Sequence, residues 1–153
     1  MRTGDSVPTI AVVDDDKAVQ HSIGNLLRAT GYRCEVYGSA EVFLDAFGSL
    51  RPDCAVIDFR LPGLNGLELQ RLLEERGHAI PVIMVTANEE RVRAQALELG
   101  AVAVLRKPFE GEVLLAAIRS ALKHPPENKA LQSLSTCPIK ALQTYYWVEE
   151  TLS

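Results

Sequence analysis

Five short apolar runs recur along residues 9–123, and each is followed by a segment whose apolar residues fall at helical spacing. The runs are TIAVV (9–13), CEVY (34–37), CAVI (54–57), PVIMV (81–85) and AVAVL (101–105). They are apolar throughout rather than alternating, which is the pattern of strands buried on both faces of a parallel sheet. After the first run, Val19, Ile23, Leu26, Leu27 and Thr30 line one face of a helix. Leu67, Leu69, Leu72 and Leu73 do so after the third, and Val113, Leu114, Ala117, Ile118, Ala121 and Leu122 after the last. Segments 40–49 and 89–99 are shorter but helical in character.

The punctuation agrees with this reading. Gly31, Gly77 and Gly100 each lie just past a helical stretch, where a left-handed residue ends a helix. Asn65 with Glu68 has the spacing of a capping box, and Ser39 and Asn88 suit N-caps. The order βαβαβαβαβα predicts an α/β fold with a doubly wound, five-stranded parallel sheet. CEVY is the weakest run and is expected at an edge. The first domain is placed at residues 8–124. Pro125 and Pro126 then end the last helix, and 125–153 is a C-terminal extension too short and too poor in Lys and Arg for a complete DNA-binding output domain. Within it Ala141, Tyr145, Val148 and Leu152 form a short apolar stripe around Trp147, expected to be helical only if it docks.

Composition narrows the function classes modestly. The 153 residues carry a net charge of −4, with 24% charged and 47% hydrophobic. That is ordinary for a globular protein and offers no basic face for nucleic acid. The chain is expected not to bind DNA by itself. No apolar run approaches a membrane span, and no secretory signal opens the sequence, so a cytoplasmic location is expected. Cys34, Cys54 and Cys137 are scattered, as are His21, His78 and His124, without metal-ligand spacing.

The chemistry concentrates at the carboxyl ends of the strands, where open parallel sheets bind ligands. The first run leads into Asp14-Asp15-Asp16, the third into Asp58, the fourth into Thr86 and the fifth into Arg106-Lys107-Pro108. Each has an ordinary explanation taken singly: helix capping for the triplet, turn initiation for Asp58, a buried filler for Thr86, a surface charge for Lys107. Four strand ends in coincidence weaken those explanations. Carboxylates drawn together repel one another, and a hard divalent ion relieves that repulsion. With an ammonium and a hydroxyl added, such a site can hold a transferring phosphoryl group, with Asp58 as the nucleophile.

These motifs resemble the response-regulator receiver family over residues 8–123. IAVVDDD, AVIDFRLPGLNG, VIMVTAN and AVLRKPF occur in order, with Asp58 43 residues after Asp15, Thr86 28 after Asp58, and Lys107 21 after Thr86. SAEVFLDAF and RKPFEGEVLLAAI are most similar to FixJ-like receivers that precede a LuxR-type DNA-binding domain. The resemblance implies a flavodoxin-like sheet of order 2-1-3-4-5. It implies Mg²⁺, or Mn²⁺ in its place, held by Asp14, Asp15, Asp58 and the backbone carbonyl of Arg60. Asp58 would be the phosphoacceptor, Lys107 would contact the phosphoryl oxygens through a cis peptide to Pro108, and Thr86 would turn toward the phosphoryl group, with Ala87 leaving it room. It implies no turnover enzyme beyond self-phosphorylation and slow dephosphorylation, and a histidine kinase or phosphotransfer protein as donor. A homodimer through the 89–123 face is also expected, because AVAVL is apolar yet lies at a sheet edge in the family. Val104 stands where the family often has Tyr or Phe.

The alternatives are weaker. A detached receiver of a longer DNA-binding regulator fits the same motifs. A Mg²⁺-dependent phosphohydrolase with an Asp nucleophile usually has a second Asp two residues on, where this chain has Arg60. A flavodoxin-type carrier would need a phosphate-cradling loop where Asp14-Asp15-Asp16 repels phosphate.

Overall fold

The computed structural model describes residues 7–47, 49, 51–87 and 90–123. The proposed cap at Asn88, Cys137, His124 and the apolar stripe of 139–152 lie outside them. Five strands alternate with five helices: β1 (Thr9–Val13), α1 (Lys17–Thr30), β2 (Arg33–Tyr37), α2 (Ala40–Ala46), β3 (Cys54–Asp58), α3 (Gly66–Glu75), β4 (Val82–Thr86), α4 (Glu90–Glu98), β5 (Ala103–Arg106) and α5 (Gly111–Lys123). All pairings are parallel and the sheet order is β2-β1-β3-β4-β5. The expected fold class and strand order are therefore observed, with the weak CEVY run at one edge.

The boundaries shift by one or two residues for local reasons. Pro81 has no N–H to pair, so β4 starts at Val82 and the Pro81 carbonyl accepts from the Ala55 amide at 3.0 Å. At the other edge Gly100 takes φ +104°, and the Ala101 amide turns back to the Ala96 carbonyl at 2.9 Å. Ala101 completes that turn, the Val102 amide already donates to the Val82 carbonyl at 2.8 Å, and β5 runs from Ala103 to Arg106. The predicted caps form where they can be seen. Ser39 accepts from the Val42 amide, and Asn65 and Glu68 make a reciprocal capping box.

The pleat divides the sheet into two cores. Ile10, Val12, Cys54, Val56, Ile83, Val85, Ala103 and Leu105 face α1 and α5. Ala11, Val13, Ala55, Ile57, Val82, Met84 and Val104 face α2, α3 and α4. This changes one expectation. The apolar side chains of β5 are fully covered within the chain, Val104 in the core that includes Val92 and Ala96, and Ala103 and Leu105 in the core that includes Leu114, Ala117 and Ile118. Their apolarity reflects burial under α4 and α5 and gives no reason for a second copy to cover them. Among the described residues, the large hydrophobic side chains that are exposed, Val7, Val36 and Val42, lie elsewhere.

Candidate functional site

Alternation along the strands dictates which side chains meet at the carboxyl edge. Asp14, Asp58 and Lys107 continue the rows that face α1 and α5, whereas Thr86 continues the row that faces α4. Lys107 is carried to the site by its amide, which donates to the Thr86 carbonyl at 2.8 Å, and the Lys107–Pro108 peptide is cis. Its Nζ lies 3.3 Å from Asp58 Oδ2 and 3.8 Å from Asp14 Oδ2. Thr86 ends β4 fully buried, beside the Asp58 end of β3.

The triplet after β1 resolves into separate tasks. Asp16 is the N-cap of α1, its carboxylate accepting from the Ala18 and Val19 amides. Helix capping therefore accounts for Asp16 and leaves Asp14 and Asp15 without that ordinary explanation. Asp14 is buried; its amide donates to the Tyr37 carbonyl at 3.0 Å and its Oδ1 accepts from the Asp16 amide at 2.9 Å. Asp15 is exposed. Carboxylate oxygens of Asp14, Asp15 and Asp58 lie within 4.8 Å of one another.

Burial pushes the Asp14 carboxyl from its ordinary 3.8 up to about 6, with the charges of Asp58 and Asp15 acting in the same direction against the Asp16 amide and Lys107. Asp58 is raised too, again mainly by burial, with Lys107 opposing. Hard oxygen donors, close together and only partly neutralised by one ammonium, fit a divalent cation such as Mg²⁺. No described helix is long and apolar enough to cross a membrane.

The raised carboxyls set the sign of a pH effect in chelator. A folded-state value above the unfolded one means that the folded chain holds the proton more tightly. Stability without divalent ions should thus fall as pH rises from about 4 to about 6, the window set by Asp14. This is opposite to the usual behaviour of paired carboxylates. Asp14→Asn keeps the acceptor for the Asp16 amide and removes the charge, so it should raise the midpoint at pH 7 and flatten the slope. Urea melts at several pH values check this; an unchanged slope would mean that Asp14 carries no such penalty.

Two supporting groups escaped the sequence reading. Gly66 opens α3 directly under Asp58: a Cβ there would lie 2.7 Å from the Asp58 carbonyl oxygen and 2.9 Å from both Phe59 Cα and Met84 Sδ. The Gly66 amide donates to the Phe59 carbonyl at 2.8 Å. Glu41, on α2, accepts from the Leu64 amide at 3.2 Å and so ties down the loop that carries Arg60. The glycine that follows Asn65 is a signal that could have pointed to a close approach, but nothing in the local pattern links Glu41 to Leu64, 23 residues away.

With this geometry established, comparison with known proteins is decisive. Residues 10–119 match the response regulator receiver domain family. The chain belongs to that family. Response regulator protein TmoT of Ectopseudomonas mendocina is 40% identical over 126 residues, which cover 82% of this chain and 57% of that protein. Transcriptional regulatory protein FixJ of Azorhizobium caulinodans is 39% identical over 125 residues, covering 81% of this chain and 59% of that one. The receiver thus spans little more than half the length of these relatives. The crystal structure of FixJ-N superposes with a TM-score of 0.73 at 33% identity, covering 78% of this chain and 96% of that one. A BeF₃-activated DrrB receiver domain gives 0.68 at 30% identity, with 78% and 100% covered. Receivers are phosphoacceptor modules of two-component signalling and not turnover enzymes in the ordinary sense.

Proposed function

We propose that Asp58 accepts a phosphoryl group from the phosphohistidine of a histidine kinase or phosphotransfer protein, and that Thr86 and α4 report the event. The observation that carries this reading is the position of Asp58: a buried carboxylate at a strand end, paired with Lys107 and close to two further carboxylates. Asp14, Asp15, Asp58 and the Arg60 carbonyl would hold Mg²⁺, or Mn²⁺ in its place. When bound, that ion supplies positive charge for the phosphoryl oxygens.

The remaining tasks belong to the chain. The Asp58 carboxylate attacks phosphorus, one oxygen–phosphorus bond forms, the bond to the donor nitrogen breaks, and the donor imidazole leaves with the bonding pair. Lys107 Nζ, now engaged with Asp58 Oδ2, is placed to transfer its contact to a phosphoryl oxygen. Burial limits the access of water to the acyl phosphate. Thr86 offers its hydroxyl from the far side of the sheet, in the same row as Met84 and Val104, so its displacement is felt in the core beneath α4. Val104 has no ring to rotate; it responds by repacking against Val92 and Ala96. The α4–β5–α5 face then presents the change to a partner or a second copy.

The chain's likeness to response regulators and transcriptional regulatory proteins, matched over little more than half their length, favours a second reading for the output. In it the receiver acts within a DNA-binding regulator, and DNA contacts are made outside residues 8–124. The domain division at 124/125 is part of that proposal.

Incubation with Mg²⁺ and a small phosphodonor should give an acid-stable, base-labile adduct that maps to the peptide containing Asp58. With beryllofluoride, amide shifts should spread from Asp58 to Thr86, Val104 and α4. Shifts confined to the α1 and α5 side would reject that route of signalling.

A further inference from the structure

The loop from β3 to α3 carries Arg60, and two residues further on it bends at Pro62 and Gly63. Gly63 takes φ +73°, close to the value that a type II Pro-Gly turn sets at its glycine. Such a turn commonly closes on itself, with the Leu64 amide donating to the Leu61 carbonyl. Here that bond is not formed. The Leu64 amide donates instead to Glu41 Oε2, on α2, at 3.2 Å. The carboxylate lies so close to the bend that a Cβ on Gly63 would come within 2.7 Å of Oε2.

A glutamate in the first turn of α2 has an ordinary use, which is to offset the positive end of the helix. That use asks nothing of a residue 23 positions away, and Ser39 already caps α2 by accepting from the Val42 amide. Glu41 is exposed, and the Leu64 amide is its hydrogen-bond partner among the described residues.

The ends of the loop are fastened by the backbone. The Phe59 amide donates to the Val85 carbonyl and the Gly66 amide to the Phe59 carbonyl, both at 2.8 Å. Leu61 is buried, and Leu64 partly so, in the core that includes Ala40 and Phe43. Between those ends, Glu41 makes the one hydrogen bond among the described residues that joins 61–64 to another helix.

We infer that Glu41 is a positioning residue for the metal: by holding Leu64 it fixes the bend that follows Arg60, and so the place of the Arg60 carbonyl. The inference rests on the ligand set proposed above, in which that carbonyl is one donor. Groups that orient a metal's ligands set its affinity alongside the ligands themselves, and losing one commonly weakens binding 10–100-fold.

Amide NMR of the full chain tests this in two stages. In chelator, Glu41→Ala should move the Leu64 amide upfield and speed its hydrogen exchange, while the shifts of Phe43 and Ala46 stay close to the parent's. On titration with Mg²⁺, the same variant should show a Kd raised about tenfold, the low end of that range because Glu41 acts through the loop. Its labelling rate should return to the parent's at saturating Mg²⁺. Glu41→Gln keeps an acceptor oxygen for the Leu64 amide and removes the charge, so it should match the parent in both stages. An unchanged Mg²⁺ Kd in Glu41→Ala would overturn the inference. A Gln variant as weak as the Ala variant would do so too, since the effect would then come from charge and not from position. Mg²⁺ shifts in the parent that avoid Asp14, Asp15 and Arg60 would strike the ligand set itself, and the role of Glu41 with it.

Discussion

Asp58→Asn should fold as the parent does and accept no phosphoryl group, with labelling reduced by at least about a thousandfold, as when other covalent catalysts lose their nucleophile. The amide keeps the shape and one oxygen of the carboxylate but lacks the charge that attacks phosphorus. Folding is spared because little depends on the lost pair. Lys107 is about one-third exposed and keeps Asp14 at 3.8 Å, so losing the 3.3 Å contact with Asp58 should cost no more than about 1 kcal/mol. Removing a desolvated charge offsets part of even that. Mass measurement after incubation with Mg²⁺ and phosphodonor reads the first outcome, and a urea melt reads the second. Stoichiometric labelling of the variant at any other residue would overturn the role given to Asp58.

The second large effect is expected at a residue with no functional group at all. Gly66→Ala places a methyl 2.7 Å from the Asp58 carbonyl oxygen and 2.9 Å from the Phe59 backbone, where neither neighbour is the free end of a flexible side chain. Either α3 is displaced or the end of β3 moves. Overpacking of this kind costs about 1–3 kcal/mol, occasionally more. Because the strand end carries the proposed acceptor, the phosphorylation rate should fall together with stability. Gly31→Ala is the useful contrast. It meets nothing within 4 Å but sits at φ +105°, so it should lose about 1–2 kcal/mol from backbone strain without changing the labelling rate. If the two variants lose stability equally and both phosphorylate normally, the close approach at Gly66 does not position the acceptor.

The fold was legible in the sequence because its signals are local. Continuous apolar runs mark strands covered on both sides, and glycines at 31, 77 and 100 mark where helices must stop. The candidate site was legible for a related reason. Parallel strands deliver their last residues to one edge, so Asp58, Thr86 and Lys107 could be gathered by counting strand ends. What could not be read was three-dimensional. The division of labour between Asp14, buried in the site, and Asp16, capping α1, depends on how one turn leaves β1. Glu41 holding the Leu64 amide depends on the packing of α2 against a distant loop. The apolarity of AVAVL was visible, but the helices that cover it are separate elements of the chain, and the run together with the edge position implied by the family suggested a bare edge awaiting a partner.

The sheet's pleat has a consequence for how such a protein can change over time. Asp14, Asp58 and Lys107, the residues proposed to meet the donor, continue the row backed by α1 and α5, while Thr86 and Val104 belong to the row backed by α4. On the proposed reading, substitutions around the acceptor therefore fall in the core under α1 and α5, and those that alter how a movement of Thr86 is felt fall in the core under α4. The two meet where β4 and β5 pair, at the Lys107 amide and the Thr86 carbonyl.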